Sequence, residues 1–297
     1  KIYLSELKPV GKVYLFFDEI QNIQDWEKLV NSYSQDYTSR YELFISGSNS
    51  KLLSTELASL LSGRYVNIEI FPFSFNEYLG ITETQVTKQS YLEFMSSGGL
   101  PELFSLLKLE TRRNYIASIK DTVLLRDIIQ RHNIRDPKLL DDIFIYLVNN
   151  ASNLLSVGSM LRYFKGLSRK TSYDNISNYL QYIEDAFLVH RCERYNIKGK
   201  DIIGGNVKFY LNDLSFKNYL YPGFALGFGY LLENTVYLDL RNAGYKVYTG
   251  NIKDKEVDFV AHKADRVIYI QCSWLLTEES TIQREYSALE AIPDHYE

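Results

Sequence analysis

The sequence is poor in the residues that build disulfide frameworks and zinc sites. Its 297 residues include two cysteines, Cys192 and Cys272, and four histidines that lack the spacing of metal ligands. Two distant cysteines exclude a disulfide-dense fold and a zinc cluster, and they are typical of a reducing interior. We expect both cysteines to be plain core residues.

The sequence also lacks a long hydrophobic run and an excess of positive charge. Its apolar runs fall well short of the ~20 residues needed to span a bilayer, and no signal peptide is present. The net charge of −4 excludes a polycation that coats nucleic acid, so any such contact requires a local basic patch. We expect a cytoplasmic protein with no membrane partner.

The apolar content of the sequence is high enough for several hydrophobic cores. Apolar residues make up 45% of the chain and charged residues 24%, which is typical of a globular protein, and the length favours two or three domains. Strand-like and helix-like segments alternate through residues 1–80. Continuous apolar strands separated by helices predict an α/β fold with a parallel sheet.

An apolar run near the start of the chain ends in two adjacent acids. Residues 13–17 read VYLFF and predict a buried strand, and Asp18 and Glu19 follow directly. At the carboxyl edge of a parallel sheet, one carboxylate can hold a Mg²⁺ that bridges phosphate oxygens, and the next can activate the attacking water. The alternative is that both acids cap the next helix or face solvent.

Further polar residues follow the next predicted elements. The strand YELFIS (41–46) runs into a turn with Ser48 and Asn49, either of which could hold a water molecule or sense a γ-phosphate. Arg64 comes just after a predicted helix, where it could pair with phosphate oxygens or form a surface salt bridge. The segment YVNIEIFPF (65–73) predicts a third strand.

The order of these motifs resembles a known family. The motifs are VYLFFDEIQN, LFISGSNS, LSGRYVNIEIFPFSFNEYL and SGGLPE. This order is similar to that of prokaryotic AAA-type ATPases with a C-terminal domain of unknown function 4143. The resemblance implies ATP and Mg²⁺ as cofactors, a Walker B pair in which Asp18 binds Mg²⁺ and Glu19 activates water, a sensor at Ser48 or Asn49, and a phosphate-sensing or finger-type role for Arg64.

One motif of that family is absent from these residues. A P-loop reads G-x-x-x-x-G-K-[ST], and the nearest pair, Gly11-Lys12, lacks the first glycine and the hydroxyl residue. In the family this loop lies upstream of Walker B. Because the chain starts at Lys1 and enters a core strand within a dozen residues, we expect a fragment that binds ATP and Mg²⁺ only together with the upstream segment.

The middle of the chain has the outline of a helix-turn-helix with a wing. Predicted helices at 156–166 and 172–187 are followed by a charged strand at 188–196. Residues 150–200 contain eight basic and four acidic residues, which favours modest phosphate affinity. The resembling family has a winged helix here. DNA is one candidate partner, and protein contacts or interdomain packing are the alternatives.

The last hundred residues resemble the PD-(D/E)XK nuclease pattern, in which carboxylates hold Mg²⁺. Glu233 lies in a predicted helix, Asp258 in a predicted strand, and Gln271 in the next strand, where an acid and a lysine are expected. Gln271 could ligate a metal more weakly than a carboxylate. The alternatives are that Glu233 caps or pairs within its helix and that Asp258 pairs with a lysine such as Lys255. We expect a degenerate nuclease domain.

These patterns together predict four segments. They are a truncated P-loop-type core at 1–80, a helical linker or lid at 81–135, a winged-helix-like domain at 136–200 and a small restriction-endonuclease-like α/β domain at 201–297. The first hypothesis for function is an ATP-driven switch. The others are a Mg²⁺-dependent nuclease and a non-catalytic DNA or protein adaptor.

Overall fold

The computed structural model describes residues 6–7, 9–20, 23–34, 40–48, 65–223, 227–275 and 279–293. The chain divides into two compact units. Unit 1 comprises residues 1–70 and 185–187, and unit 2 comprises residues 71–184 and 188–297.

Unit 1 contains two parallel strands and a helix. Strand β1 is Val13–Phe17, helix α1 is Trp26–Ser34 and strand β2 is Tyr41–Ile45. The strands pair in parallel, with Val13 opposite Tyr41 and Phe17 opposite Ile45. The predicted strands at 13–17 and 41–46 and the coarse α/β class are therefore confirmed.

The core of unit 1 lies on one face of these strands. Ile20, Trp26 and Val30 are buried and pack with Phe17 and Leu43, among others. Alternate residues of a strand point to opposite faces, which explains why the neighbouring aromatic side chains are exposed. Those exposed aromatic residues are Tyr14, Phe16 and Phe44.

The predicted third strand at 65–73 is wrong in this structure. Residues 65–72 form neither helix nor strand, and Val66, Ile68 and Ile70 are largely exposed. The apolar alternation is the pattern of a half-buried strand, but a strand also needs a hydrogen-bonded neighbour. Among the described residues of unit 1, only β1 and β2 pair in a sheet.

Unit 2 begins with a series of helices. They are α2 (Phe75–Thr82), α3 (Lys88–Ser97), α4 (Leu109–Lys120), α5 (Pro137–Asn150), α6 (Val157–Gly166) and α7 (Tyr173–Asp185). Beyond Lys120 the chain continues through the π-helical stretch Asp121–Ile128 and one more turn, Ile129–His132. Side-chain caps fix where several helices begin: Ser74 with Glu77, Thr87 with Ser90, and Ser156 with Ser159 form capping boxes.

Five strands and two helices complete unit 2. The elements are β3 (Val189–Asn196), β4 (Asp201–Leu211), α8 (Phe228–Asn242), β5 (Lys246–Ile252), β6 (Lys255–Lys263), β7 (Arg266–Ile270) and α9 (Glu279–Glu290). The strands form one sheet in the order β4-β3-β5-β6-β7. Only the β3–β5 pair is parallel, and the other neighbours are antiparallel.

The sheet of unit 2 buries side chains on both faces. Tyr237 of α8 packs with Tyr210 and Phe259 on one face. Ala288 of α9 packs with Tyr248 and other residues on the opposite face. The result is a layer of strands with a helix on each side, which follows from apolar residues on both faces of the central strands.

The predicted helices at 156–166 and 172–187 and the predicted strand at 188–196 are confirmed within two residues. The placement of Gln271 in a strand is wrong, because β7 ends at Ile270. The stretch KGKDIIGGN (198–206) has the glycines and charges typical of a link between domains, but β4 begins within it at Asp201 and pairs with β3. The order of α6, α7 and an antiparallel strand pair is present, whereas the winged-helix assignment and the four segment limits stay predictions. Within the described ranges, no helix combines the length and apolar composition needed to cross a bilayer.

Candidate functional site

The acid pair lies at the carboxyl ends of β1 and β2. Because Phe17 is opposite Ile45, the next residues of the two strands, Asp18 and Ser46, are also neighbours. The Ser46 hydroxyl donates a hydrogen bond to Asp18 Oδ1 and accepts one of 3.3 Å from the Glu19 backbone N–H. The structure therefore brings both acids and one hydroxyl group to the same edge of the sheet.

The backbone of Glu19 adopts an uncommon conformation at this edge. Its φ is 47°, in the left-handed region that non-glycine residues visit at some energetic cost. The neighbouring Ile20 is 0% exposed and its N–H donates to Ser46 O at 3.2 Å, so this stretch is anchored on its C-terminal side. Both Asp18 and Glu19 remain exposed. The buried anchor and the serine hold two accessible carboxylates at the sheet edge.

The residues at this edge fit a magnesium ion. Mg²⁺ takes oxygen ligands and is usually held by one or two carboxylates together with substrate phosphates. Asp18 offers an exposed carboxylate whose orientation is set by Ser46, and Glu19 adds a second carboxylate beside it. The donor set therefore matches that of a Mg²⁺-nucleotide site.

Of the other residues predicted for this site, the structure describes one. Ser48 is half-buried and lies two residues beyond Ser46. Asn49 and Arg64 lie outside the described residues. Ser46 is the last residue of the predicted strand YELFIS and was not a predicted site residue, although it is the residue that contacts Asp18.

A second cluster of charged groups lies in unit 2 around a buried lysine. Lys208 of β4 is 4% exposed, and its Nζ lies 2.9 Å from Glu233 Oε1 and 2.7 Å from Glu256 Oε1. Asp258 Oδ1 is 3.9 Å from the same nitrogen. The Tyr210 hydroxyl also donates to Glu233 Oε1, at 2.7 Å. The structure thus brings the predicted Glu233 and Asp258 together, and adds Lys208, Tyr210 and Glu256.

Asp258 and Gln271 are also tied to the backbone and to a further acid. The Cys272 N–H donates to Asp258 Oδ2 at 2.7 Å, and the Asp258 N–H donates to Gln271 Oε1 at 3.2 Å. Gln271 Nε2 donates to Glu285 Oε2 at 2.7 Å. The amide of Gln271 therefore already has partners for its oxygen and its nitrogen.

Burial and mutual repulsion alter the protonation of this cluster. Two effects raise the pKa of Asp258 to about 7: burial is the larger, and the negative charge of the nearby Glu233 is the second. For Lys208, burial alone would lower the pKa, but Glu233 and Glu256 outweigh it and the pKa is raised. The lysine therefore stays charged at neutral pH, while Asp258 carries a proton for part of the time.

The cluster does not fit a divalent metal ion in the way the nuclease pattern requires. A metal would have to lie among the oxygen atoms that Lys208 Nζ already contacts, and the two positive charges would repel each other. Within the part of the chain that the structure describes, no group of three or more acidic, histidine or cysteine side chains is arranged to hold a metal. The alternative that Asp258 pairs with a lysine is confirmed, but the lysine is Lys208, whereas Lys255 donates to Ser287 O. Glu233 pairs with Lys208 of β4 and not within its own helix.

A buried aspartate that the sequence did not indicate organises the SGGLPE loop. Asp213 is 2% exposed and accepts hydrogen bonds from the backbone N–H of Gly99 at 2.7 Å and of Ser215 at 2.8 Å. Gly98 has a φ of 81°, and a Cβ atom there would overlap Asp213 Oδ1. Burial raises the pKa of Asp213, although its hydrogen bonds oppose the shift. The paired glycines were the available signal, since they allow this close approach.

Basic side chains are exposed on helix α6 and in the turn between α6 and α7. Arg162, Lys165 and Lys170 lie on α6 and in the turn before α7, and none forms an ion pair with a described residue. By contrast, Arg169 pairs with Asp142 and Arg191 pairs with Glu184. Three of the eight basic residues counted in the sequence are therefore available to an outside anion at this surface.

Two family models match the sequence. A model described as an AAA domain matches residues 1–79, and one described as Domain of unknown function (DUF8612) matches residues 88–228. The first match confirms the AAA part of the predicted resemblance and covers Asp18, Glu19 and Ser46. The predicted domain of unknown function 4143 stays a prediction.

Two similar proteins extend along almost all of the chain. An uncharacterized protein of Haemophilus influenzae is 32% identical over 289 residues, which are 96% of this chain and 71% of that protein. An uncharacterized protein of Methanocaldococcus jannaschii is 32% identical over 317 residues, covering 99% of this chain and 70% of that protein. The chain therefore belongs to the same family as these two proteins.

Proposed function

We propose that the protein is a cytoplasmic, ATP-driven switch of the AAA type. The observation that carries this proposal is the Asp18–Ser46–Glu19 arrangement at the carboxyl edge of two parallel strands, in the region matched by the AAA model. In open α/β sheets this edge is where nucleotides bind.

The two carboxylates have different tasks in this proposal. Asp18, fixed by the Ser46 hydroxyl, binds the Mg²⁺ that accompanies ATP and that neutralises charge on the phosphate oxygens. Glu19 orients the hydrolytic water and accepts its proton as the water attacks the γ-phosphate. The hydrogen bond from the Glu19 N–H to Ser46 fixes the backbone from which this carboxylate projects.

Other residues complete the proposed nucleotide site by resemblance. Ser48 or Asn49 senses the γ-phosphate, and Arg64 pairs with phosphate oxygens. The lysine loop that cradles the phosphates is not among these 297 residues, and the two relatives are longer than the stretch they share with this chain. The activity is therefore proposed for the full-length protein. Its output is a change in position of the winged-helix-like and nuclease-like parts of the chain when the phosphate contacts are lost.

The first test is ATP hydrolysis by the full-length protein and two matched variants. Asp18→Asn removes the proposed Mg²⁺ ligand, and we expect Mg²⁺-dependent turnover to fall by about 100-fold or more. Asp25→Asn is the control, because Asp25 is an exposed acid of unit 1 that pairs with Lys28. Equal turnover in both variants, or no hydrolysis by the wild-type protein, would refute the proposal.

A second candidate function is binding of duplex DNA by α6 and α7. The observation in its favour is that Arg162, Lys165 and Lys170 are exposed and lack described ion-pair partners. The adjacent exposed face of α7 presents the amides of Asn175 and Asn178, a side-chain type that can contact adenine in the major groove. The unit would then act as an adaptor that needs no catalysis of its own.

This candidate is tested by fluorescence anisotropy with a labelled duplex at two salt concentrations. We expect binding to weaken with salt, and Lys165→Glu to weaken it about tenfold or more, because one phosphate contact is lost and a repulsive charge is added. Lys108→Glu, at another exposed lysine of unit 2, is the control. Equal binding by both variants would show that α6 does not contact DNA.

A further inference from the structure

The cluster around Lys208 combines groups from three parts of unit 2. Glu233 comes from α8, Glu256 and Asp258 from one face of β6, and Lys208 from β4, the edge strand of the sheet. Residues two apart on a strand share a face, which explains why Glu256 and Asp258 both point to the lysine. The three carboxylates therefore face one nitrogen atom, Lys208 Nζ.

The ammonium group of Lys208 occupies that point instead of a metal. Its distances of 2.9 Å to Glu233 and 2.7 Å to Glu256 are those of charge-assisted hydrogen bonds. A Mg²⁺ ion would need oxygen ligands at about 2.1 Å in octahedral geometry, with water in the remaining positions. The carboxylate oxygens of Glu233 and Glu256 lie instead at 2.9 Å and 2.7 Å from the Lys208 nitrogen, which already carries the positive charge.

The side chain of Lys208 is fixed by burial and by its ion pairs. Lys208 is 4% exposed, so its stem is packed within the protein. Moving this buried charge away from its partners is costly, since the carboxylates would then lose their shared cation. Tyr210 lies on β4 like Lys208, and its hydroxyl donates a hydrogen bond to Glu233. The Tyr210 ring stacks on that of Tyr237, with 4.2 Å between the ring centroids.

We propose that Lys208 is the permanent cation of this cluster, so that unit 2 binds no divalent metal here and cuts no phosphodiester bond. The lysine joins β4 to α8 and β6 by charge, as a structural metal would. Removing its charge should leave Glu233, Glu256 and Asp258 without their shared cation. Their positions in the wild-type protein do not form a metal site, and we expect them to draw together around a divalent cation once the lysine charge is gone. This inference does not depend on ATP hydrolysis in unit 1.

The test measures Mn²⁺ binding by calorimetry, in the absence of nucleotide. All proteins carry Asp18→Asn, so that the acid pair of unit 1 contributes less to the signal. We expect no saturable binding to unit 2 in this background, and saturable binding of about one Mn²⁺ after Lys208→Met, with a rise in Tm of several degrees when Mn²⁺ is added. Adding Asp258→Asn should abolish the new binding.

The matched control is Lys255→Met, which removes a lysine of β6, the strand of Glu256 and Asp258, that donates to Ser287 O. It should gain no Mn²⁺ binding. A folded Lys208→Met protein that binds no Mn²⁺ would overturn the proposal. If that variant does not fold, the protein with Lys208 intact still tests the proposal. Mn²⁺ binding that is lost on Asp258→Asn would contradict it, and so would Mn²⁺-dependent cleavage of nucleic acid. The absence of both would support it.

Discussion

The hydroxyl group of Ser46 donates a hydrogen bond to the carboxylate of Asp18, although the two residues are 28 positions apart. The contact exists because β1 and β2 run in parallel and end at the same edge. The same hydroxyl accepts the N–H of Glu19, so one side chain positions both the proposed metal ligand and the backbone of the proposed catalytic acid.

Replacing Ser46 should therefore reduce catalysis without removing either acid. Ser46→Ala leaves Asp18 without its hydroxyl partner, and we expect kcat for ATP hydrolysis by the full-length protein to fall about 10- to 100-fold. The Mg²⁺ concentration needed for half-maximal rate should rise. Ser32→Ala is the control, since the Ser32 hydroxyl donates to the carbonyl of Leu29 on its own helix. An unchanged kcat and Mg²⁺ dependence would show that Ser46 does not position Asp18.

The close approach of the SGGLPE loop to Asp213 makes Gly98 sensitive to any side chain. In Gly98→Ala the added Cβ would overlap Asp213 Oδ1 and would face a φ of 81°, so we expect a loss of about 2–4 kcal/mol in the free energy of unfolding. Urea unfolding, followed through Trp274 in a Trp26→Phe background, measures this for unit 2.

The control for that prediction is Gly80→Ala in α2. No atom lies within 4 Å of a Cβ built at Gly80, and alanine favours a helix over glycine by up to about 1 kcal/mol. We expect Gly80→Ala to unfold at the same or a higher urea concentration than the wild-type protein. Equal effects at Gly98 and Gly80 would show that the Asp213 contact does not stabilise the loop.

The raised pKa of Asp258 should give unit 2 a pH dependence of stability. With a folded pKa of about 7 and an unfolded value near 3.8, the folded state binds the extra proton between these values. The free energy of unfolding should therefore rise as the pH falls from 7 towards 4, by up to about 1 kcal/mol per pH unit. Above pH 7 this contribution is absent, because the carboxylate is ionised in both states.

The comparison with Asp258→Asn isolates this effect from the other buried acids. The wild-type protein should gain stability relative to that variant as the pH is lowered through 7, whereas Asp265→Asn, at an exposed position, should run parallel to the wild type. Lys208, Glu233 and Glu256 surround Asp258 and are unchanged in both proteins. Parallel curves for the wild type and Asp258→Asn would mean that Asp258 titrates normally.

The elements that local patterns define were predictable from the sequence. The apolar run before Asp18, the strand before Ser46 and the amphipathic helix around Glu233 are each found within a residue or two of the expected limits. Their signals are local, because burial of one face fixes the spacing of apolar residues. The segment 65–73 has the same signal, but pairing with a neighbour decides whether an extended segment becomes a strand.

The contacts that define the sites could not be read from the same patterns. Lys208 is 25 residues from Glu233, and Gly99 is 114 residues from Asp213. The sequence offered Lys255 as a partner for Asp258 because it is close along the chain, but β6 points that lysine towards Ser287. Side-chain partners across a sheet depend on strand order and register, which emerge only from the whole fold.

The most direct measurement of the proposed function is ATP binding and hydrolysis by the full-length Glu19→Gln variant. The glutamine keeps the size of Glu19 but cannot accept a proton from water, so we predict wild-type affinity for ATP with Mg²⁺ and a kcat reduced by about 10²- to 10⁴-fold. Glu42→Gln, on β2 and paired with Lys12, should hydrolyse ATP at the wild-type rate. Wild-type turnover in Glu19→Gln would contradict the assignment of the acid pair to ATP hydrolysis.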